Sequence, residues 1–305
     1  MKILVLGASG QVGSELATQL NHVLSVAGQN YSLVLASRAE VDVADLSALK
    51  GFLRLNNPDF VINATAYTAV DNAETEVTQA YRVNEHAVRV MAEHCAATDA
   101  NLMHISTDYV FDGSGELPVS ENNEVAPLGV YGASKLAGEE AIRAALTKHL
   151  ILRTAWVFGV SGGNFVKTML RLAQTRSELG VVGDQHGAPT SARGIAKAIA
   201  TIVLQMSQAE STDDRWGTYH YTGHPFVSWA EFAREIFRQG NQKSMIPKTP
   251  VVNSIATEQY PLPAKRPYNS RLDCSKITKV FGIEPDNWQA SLGEMLDEIR
   301  RESVK

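Results

Sequence analysis

The chain opens Met1-Lys2-Ile3-Leu4-Val5-Leu6-Gly7-Ala8-Ser9-Gly10-Gln11-Val12-Gly13, and the order of its parts decides the fold. Ile3–Leu6 is a short apolar run of strand character. A G-x-x-G-x-x-G loop follows at once, and residues 12–20 carry helical periodicity. Gly7 allows a tight turn, Gly10 lets the backbone approach a pyrophosphate, and Gly13 lets the helix pack close on the strand. The helix N-terminus then offers free N–H groups and a partial positive charge. Glycines alone also mark plain strand-to-helix turns; strand, loop and helix in this order make the reading specific. MKILVLGASG resembles the start of a signal peptide, but its apolar run is short and leads into glycines, so it reads as a strand.

Outward from this unit, strand and helix signals alternate. Ser32–Ala36 is a second apolar run, and Asp45 is placed to cap a helix through Leu46, Leu49 and Phe52–Leu53. Pro58-Asp59 turns into a strand at Phe60–Ile62. A helical stretch covers 75–98, a strand Asn101–Ser106, a helix runs from Pro127 to about 146, and Leu150–Arg153 is another strand. Continuous apolar strands separated by helices imply a parallel sheet covered on both faces, with right-handed crossovers. The second half holds most of the prolines, with amphipathic helices at 228–238 and 291–301 and few helical repeats across 244–272. The fold expected is α/β, a Rossmann-like doubly wound parallel sheet with a smaller C-terminal substrate lobe. Residues 1–160, completed by part of 190–222, form the dinucleotide-binding domain; 161–189 and 223–305 form mainly the substrate lobe. Composition agrees: 305 residues, 44% hydrophobic, 20% charged, net charge −5. That is globular rather than disordered, and not the basic balance of a dedicated nucleic-acid binder. No apolar run reaches the ~20 residues that cross a bilayer. Cys95 and Cys274 are far apart, which argues against a disulfide scaffold or zinc site and fits a reducing cytoplasm.

Three further features carry chemistry. The second strand ends at Ser37-Arg38 with no acid, where an acid would take the adenosine ribose hydroxyls of NAD; Arg38 suits the extra phosphate of NADP. Asp42-Val43 lies within reach of the adenine. Tyr131 and Lys135 are spaced Y-x-x-x-K, which on a helix sets an ammonium beside a phenol, favours phenolate and equips the tyrosine to protonate a carbonyl oxygen. Thr107, in Ser106-Thr107-Asp108-Tyr109-Val110-Phe111 past a strand end, offers a hydroxyl from the other side. His220 and His224 have metal-ligand spacing, but Gly223 and Pro225 break the helix it needs, so they read as loop histidines. No G-x-S-x-G elbow supports a hydrolase.

With these residues in view, the chain resembles the extended branch of the short-chain dehydrogenase/reductase superfamily, and within it the dTDP-4-dehydrorhamnose reductase family. The matching segments are GASGQVG (7–13), NATAYTAVDNAE (63–74), STDYVFDG (106–113), YGASKLAGE (131–139), LRTAWVFG (152–159), GDQHGAPT (183–190) and RPYNSRLD (266–273). The resemblance implies reduction of the carbon-4 keto group of dTDP-4-dehydro-L-rhamnose to dTDP-L-rhamnose by NADPH, with NADH accepted. Tyr131 would be the proton donor, Lys135 its electrostatic partner and ribose anchor, and Thr107 the third catalytic residue. Gly7, Gly10, Gln11, Val12 and Gly13 would hold the pyrophosphate, and Ala64, Thr65 and Ala66 the nicotinamide half. Val70, Thr107, Asp108, Tyr109 and Trp156 would border the sugar. Arg266, Asn269 and Ser270 would belong to the nucleotide-sugar lobe, Arg266 through bidentate pairing with the diphosphate. The implied setting is cytoplasmic supply of rhamnose for a lipopolysaccharide or cell-wall polysaccharide, with a homodimer as an open option. Some members are thought to dimerise through a glutamate-held metal; here Ser191-Ala192-Arg193 stands after the GAPT segment, so no metal site is expected. The alternatives are a nucleotide-sugar epimerase or dehydratase of the same branch, and a non-catalytic subunit resembling that of a methionine adenosyltransferase. Asp108 followed by Tyr109 rather than glutamate disfavours the dehydratase, and the intact Thr107, Tyr131 and Lys135 set disfavours the subunit.

Overall fold

A computed structural model describes residues 1–303. The first half runs β1 (Lys2–Leu6), α1 (Gln11–Val26), β2 (Ser32–Ala36), α2 (Leu46–Asn56), β3 (Phe60–Asn63), α3 (Val70–Ala73), α4 (Val77–Tyr81), α5 (Ala87–Thr98), β4 (Asn101–Thr107), α6 (Val130–Ala145) and β5 (His149–Thr154). The second half runs β6 (Val157–Phe158), α7 (Phe165–Leu172), β7 (Glu178–Val182), β8 (His186–Gly187), β9 (Thr190–Ser191), α8 (Ala192–Met206), β10 (Gly217–His220), β11 (Val227–Ser228), α9 (Trp229–Gln242), β12 (Val251–Ile255), α10 (Ser275–Phe281) and α11 (Trp288–Ser303).

Six strands form one parallel sheet in the order β2-β1-β3-β4-β5-β10. The chain leaves β1 for β2 on one side and returns to β3 on the other. The order therefore reverses at β1, and the crevice beyond the carboxyl ends of β1 and β3 is where such sheets bind ligands. On one face, α1 and α8 bury Leu16, Leu20, Ile195 and Ile199 against Val5, Ile62 and Leu152. On the other, α2, α5 and α6 bury Leu49, Met91 and Ile142 against Leu4, Val61 and Ile151. A third core joins Phe158, Val166, Phe232, Ile236, Trp288 and Leu296 from β6, α7, α9 and α11. Three two-stranded pairs, β7–β12, β8–β11 and β6–β9, complete the second half.

Local signals explain the element ends. Asp45 caps α2, its carboxylate accepting from the N–H groups of Ser47 and Ala48, as the sequence implies. Ser228 and Glu231 form a capping box on α9. Of the stretch 75–98, only residues 77–98 are helical, and they are not one regular helix: between α4 and α5, Arg82–His86 makes a π-helical turn. The elements absent from the sequence reading are α3, α7, α8, α10 and the strands β6–β12. His220 accordingly corrects that reading, because it lies on β10, fully buried, and not in a loop. Its Nδ1 stands 3.1 Å from the Val119 carbonyl oxygen. Among the described residues, no helix is long and apolar enough to cross a membrane.

Candidate active site

The glycine loop joins β1 to α1 and is shaped by close approach. Gly7 has φ +85°, and a Cβ there would lie 2.8 Å from the Ala64 carbonyl oxygen; a Cβ on Gly13 would lie 2.0 Å from that of Gly7. Gly10 precedes α1 with no side chain capping the helix N-terminus. This cradle, walled by Ala64 and Thr65 at the end of β3, fits a dinucleotide pyrophosphate held by backbone N–H groups. The side chain of Val12 is buried in the core, so only its backbone is free for that task. Gln11 accepts through Oε1 from Asn164 Nδ2 at 3.1 Å, which lays the 160–164 loop over the cradle. Asn164 carries no signal in the sequence beyond its capping position before α7.

At the end of β2, Ser37 donates both its N–H (2.7 Å) and its hydroxyl (2.6 Å) to Glu40. Those two bonds hold the Glu40 carboxyl below its usual range. The strand end thus does meet an acid, supplied three residues on, which a reading of Ser37 alone misses. Arg38 is exposed and lies 3.9 Å from Asp42. Val43 is buried with Val41 in the core, so it does not face the crevice.

The other wall is built where β4 ends and α6 begins. Thr107 Oγ1 accepts from the Tyr109 N–H at 3.2 Å and donates to Asp108 Oδ1 at 3.0 Å. The Thr107 side chain lies near enough to the Tyr131 phenol to favour its ionised form, and the Tyr109 and Tyr131 rings meet edge to face at 5.4 Å. Gly132 permits this docking, since a Cβ there would lie 2.1 Å from the Tyr109 carbonyl oxygen. Burial pushes the Tyr131 phenol up to about 12, with Thr107 opposing and Asp108 adding to the rise. Burial also lifts Asp108 to about 6 against its bonds from Ser270 and Thr107. Lys135 is buried one turn beyond Tyr131, and burial lowers its ammonium to about 8 while Glu139 favours the charge. Its Nζ donates to the Ile105 carbonyl at 2.7 Å and lies 3.1 Å from His104 Nε2. In this structure burial, not Lys135, therefore sets the Tyr131 pKa.

Several supporting residues escaped the sequence reading. Asn84, on the π-helical turn, accepts from Tyr67 N–H (2.9 Å) and donates to the Tyr67 carbonyl (3.1 Å) and Ser134 Oγ (3.0 Å). Gly138 lets α6 touch that turn. Arg153 pairs bidentately with Glu139 at 2.9 and 2.6 Å, both fully buried, and lies over the Phe111 ring. An asparagine inside a helix and a charge inside an apolar strand are the signals by which they could have been found.

The residues expected at the sugar converge only in part. Ser270 reaches Asp108. Trp156, at φ +50°, stacks on Trp229 with centroids 3.6 Å apart. Arg266 meets Asp71, beside Val70, at 2.8 and 2.7 Å, so the fork expected on a diphosphate is engaged by a carboxylate in this structure. Asn269 serves the backbone instead: it donates to the Leu117 carbonyl and accepts from Arg271. Arg193 lies between Glu15 (3.1 Å) and Glu298 (2.5 Å). Among the described residues, no group of three or more His, Cys, Asp or Glu side chains could hold a metal ion.

Residues 1–301 match the family model described as RmlD substrate binding domain. The chain is 42% identical over 291 residues to the dTDP-4-dehydrorhamnose reductase of Aggregatibacter actinomycetemcomitans, covering 95% of this chain and 97% of that one. It is 38% identical over 300 residues to that of Escherichia coli K12, covering 98% of each. Among solved structures, a dTDP-4-dehydrorhamnose reductase of Clostridium acetobutylicum superposes with TM-score 0.88 at 36% identity, over 98% of this chain and 100% of that one. A reductase of the same name from Bacillus anthracis, in complex with NADP, superposes with TM-score 0.84 at 32% identity, over 97% and 99%.

Proposed function

The chain belongs to the RmlD substrate binding domain family, and from that membership we infer that it works as the dTDP-4-dehydrorhamnose reductases do. It is an NADPH-dependent oxidoreductase that reduces the carbon-4 keto group of dTDP-4-dehydro-L-rhamnose to dTDP-L-rhamnose. The observation that carries this reading is the placement of the Thr107, Tyr131 and Lys135 side chains beside the crevice that the glycine cradle opens. When bound, the reduced nicotinamide supplies a hydride to the carbonyl carbon. Tyr131, protonated throughout the neutral range, gives its phenolic proton to the carbonyl oxygen, so that hydride and proton together make the alcohol. Thr107 holds the same oxygen by turning its one hydroxyl hydrogen from Asp108 Oδ1 to the carbonyl, while the Tyr109 N–H keeps the hydroxyl oxygen in place. Lys135 anchors the nicotinamide ribose and returns charge balance to Tyr131.

In this reading residues 1–160 with part of 190–222 hold the cofactor, and 161–189 and 223–305 hold most of the nucleotide sugar. NADH serves as a slower alternative. The enzyme works in the cytoplasm, in keeping with two buried free thiols. The test is NADPH oxidation with freshly made dTDP-4-dehydro-L-rhamnose, one cofactor consumed per sugar reduced. Conversion without net oxidation would instead mark an epimerase. Tyr131→Phe keeps the ring and removes the proton, so turnover should fall ~10²–10⁴-fold with little change in cofactor affinity. Near-normal turnover would remove Tyr131 from the mechanism.

A further inference from the structure

Tyr131 is the second residue of α6, so where that helix starts decides where the phenol stands. The first N–H groups of a helix find no partner within it. In α6 the preceding residue is Gly129, no side chain of the helix caps its start, and its first turn holds no acid. The partner comes from 56 residues away: the Val130 N–H donates to Glu74 Oε1 at 2.9 Å. Gly129 leaves the room for this. Its backbone is extended (φ −150°, ψ 176°), a conformation open to any residue, but a Cβ there would lie 2.6 Å from Glu74 Oε1. The position where serine or aspartate commonly caps a helix is thus empty of side chain, and a carboxylate from another element meets the positive end of the helix instead.

Glu74 directly follows α3, and its own N–H donates to the Asp71 carbonyl at 3.3 Å, so Asp71 and Glu74 belong to one turn of backbone. The two carboxylates serve different elements. Asp71 holds the Arg266 fork at 2.8 and 2.7 Å and accepts from the Ala264 N–H at 3.1 Å, while Glu74 holds the start of α6. On its other side that start docks on the end of β4, where Gly132 comes against the Tyr109 carbonyl oxygen. Tyr131 therefore sits between two fixed points, one given by the Asp108–Val110 turn and the other by α3.

We propose that Glu74 is a positioning residue for Tyr131: it ties the start of α6 to the turn whose Asp71 holds Arg266. This rests on the role given to Tyr131 above and adds what sets the place of its phenol. Glu74 acts through the backbone of α6 and not on the reacting atoms. Its loss lets the first turn of α6 shift, and a displacement of about 1 Å at a proton donor is enough to cost ~10²-fold in rate. Lys135, one turn further on, is held separately by its bond to the Ile105 carbonyl, and the glycine cradle lies at the β1–α1 junction. The effect therefore falls on kcat and not on NADPH affinity. The tie also gives the nucleotide end of the substrate a route to the chemistry: what engages the Arg266 segment bears on α3, and α3 bears on the helix of Tyr131.

The first test reads the tie itself, without turnover. Amide hydrogen exchange in the full-length ¹⁵N-labelled protein should show the Val130 N–H protected in wild type and in Glu74→Gln, which keeps an acceptor, and unprotected in Glu74→Ala. Fast exchange at Val130 in wild type overturns the proposal. The second test is kinetic. Glu74→Ala should lower kcat ~10–100-fold and leave the dissociation constant for NADPH, read from protein fluorescence, nearly unchanged. Glu74→Gln should stay within ~5-fold of the wild-type kcat, since only the charge at the helix start is lost. A normal kcat in Glu74→Ala, or equal losses in the two variants, overturns the proposal. The third test separates position from stability. With Glu74 cut back to alanine there is room for Gly129→Ser, which gives α6 a cap of its own. The double variant should regain thermal stability over Glu74→Ala while its kcat stays low; full recovery of kcat would make Glu74 a mere cap and overturn the proposal. The two readings fail separately: absence of NADPH oxidation by wild type removes the reductase assignment, whereas exchange at Val130 judges the tie whatever the reaction.

Discussion

Asp108 is a carboxyl group with almost no solvent, between the hydroxyls of Thr107 and Ser270, and burial raises it from 3.8 to about 6. Unfolded, it releases its proton near 3.8; folded, it keeps it to about 6. Between those values the folded state binds more protons, so this group's contribution to stability falls as pH rises, by up to about 3 kcal/mol. Asp108→Asn removes the titration. Urea unfolding of both proteins should show the variant gaining on wild type from pH 4 to pH 6.5 and then running parallel, whereas a constant difference would place the Asp108 pKa near its ordinary value. Arg38 is the opposite case, an exposed cation whose pairing with a cofactor phosphate is screened. Arg38→Ala should raise the KM for NADPH ~2–5-fold at low salt, less at high salt, and leave that for NADH nearly unchanged. Equal effects on the two cofactors would show that it does not read the phosphate. At this scale the sequence showed Tyr131, Lys135 and Thr107, because a four-residue helical spacing and a strand end are local patterns. It hid Glu74, His104 and Glu40. The first two act through neighbours on other elements, and Glu40 through a bend after β2 that brings its carboxylate back to Ser37.

Among elements, the junction of β1 and α1 is the most constrained, since a Cβ on Gly13 would fall 2.0 Å from the Gly7 carbonyl oxygen and 2.9 Å from the Ala8 Cα. Gly13→Ala must therefore push α1 away from the loop. The strain should cost ~1–3 kcal/mol of stability by overpacking. Because the same loop is the proposed pyrophosphate cradle, NADPH affinity should fall by more than substrate affinity. Thermal unfolding together with cofactor titration checks this; a stable variant of normal affinity would mean that the loop relaxes freely. The glycine spacing was legible because each glycine answers a local steric demand. The π-helical turn at Arg82–His86 was not, because it arises from packing of α6 through Gly138 onto Asn84. Helix α8 was missed although ARGIAKAIATIVLQM has helical periodicity, and β10, only Gly217–His220, owes its strand form to pairing with β5.

Over the whole molecule, the sheet and the C-terminal segment are held together by a few polar ties across apolar cores. Arg193 joins α1 to α11 through Glu15 and Glu298, and Arg266 joins the 264–273 segment to α3 through Asp71. The layered sheet was legible, because alternating apolar runs and helices admit few arrangements. The ties were not, because each spans more than a hundred residues of sequence. In the proposed reading, the Asp71–Arg266 pair is the one that bears on the substrate side of the crevice. Arg266 holds the Asp71 carboxyl below its usual range, and the two meet through a bidentate pair. If Arg266 acts through this clasp, removing either partner frees the same segment. Asp71→Ala and Arg266→Ala should then each raise the KM for the nucleotide sugar by a similar factor, ~10-fold for about 1.4 kcal/mol, with little effect on NADPH. The double variant should be scarcely worse than either single one, because one interaction is lost only once. If Arg266 instead leaves Asp71 to grip the diphosphate, Arg266→Ala will be far more damaging than Asp71→Ala. A double-mutant cycle on KM, at two salt concentrations, separates the two outcomes.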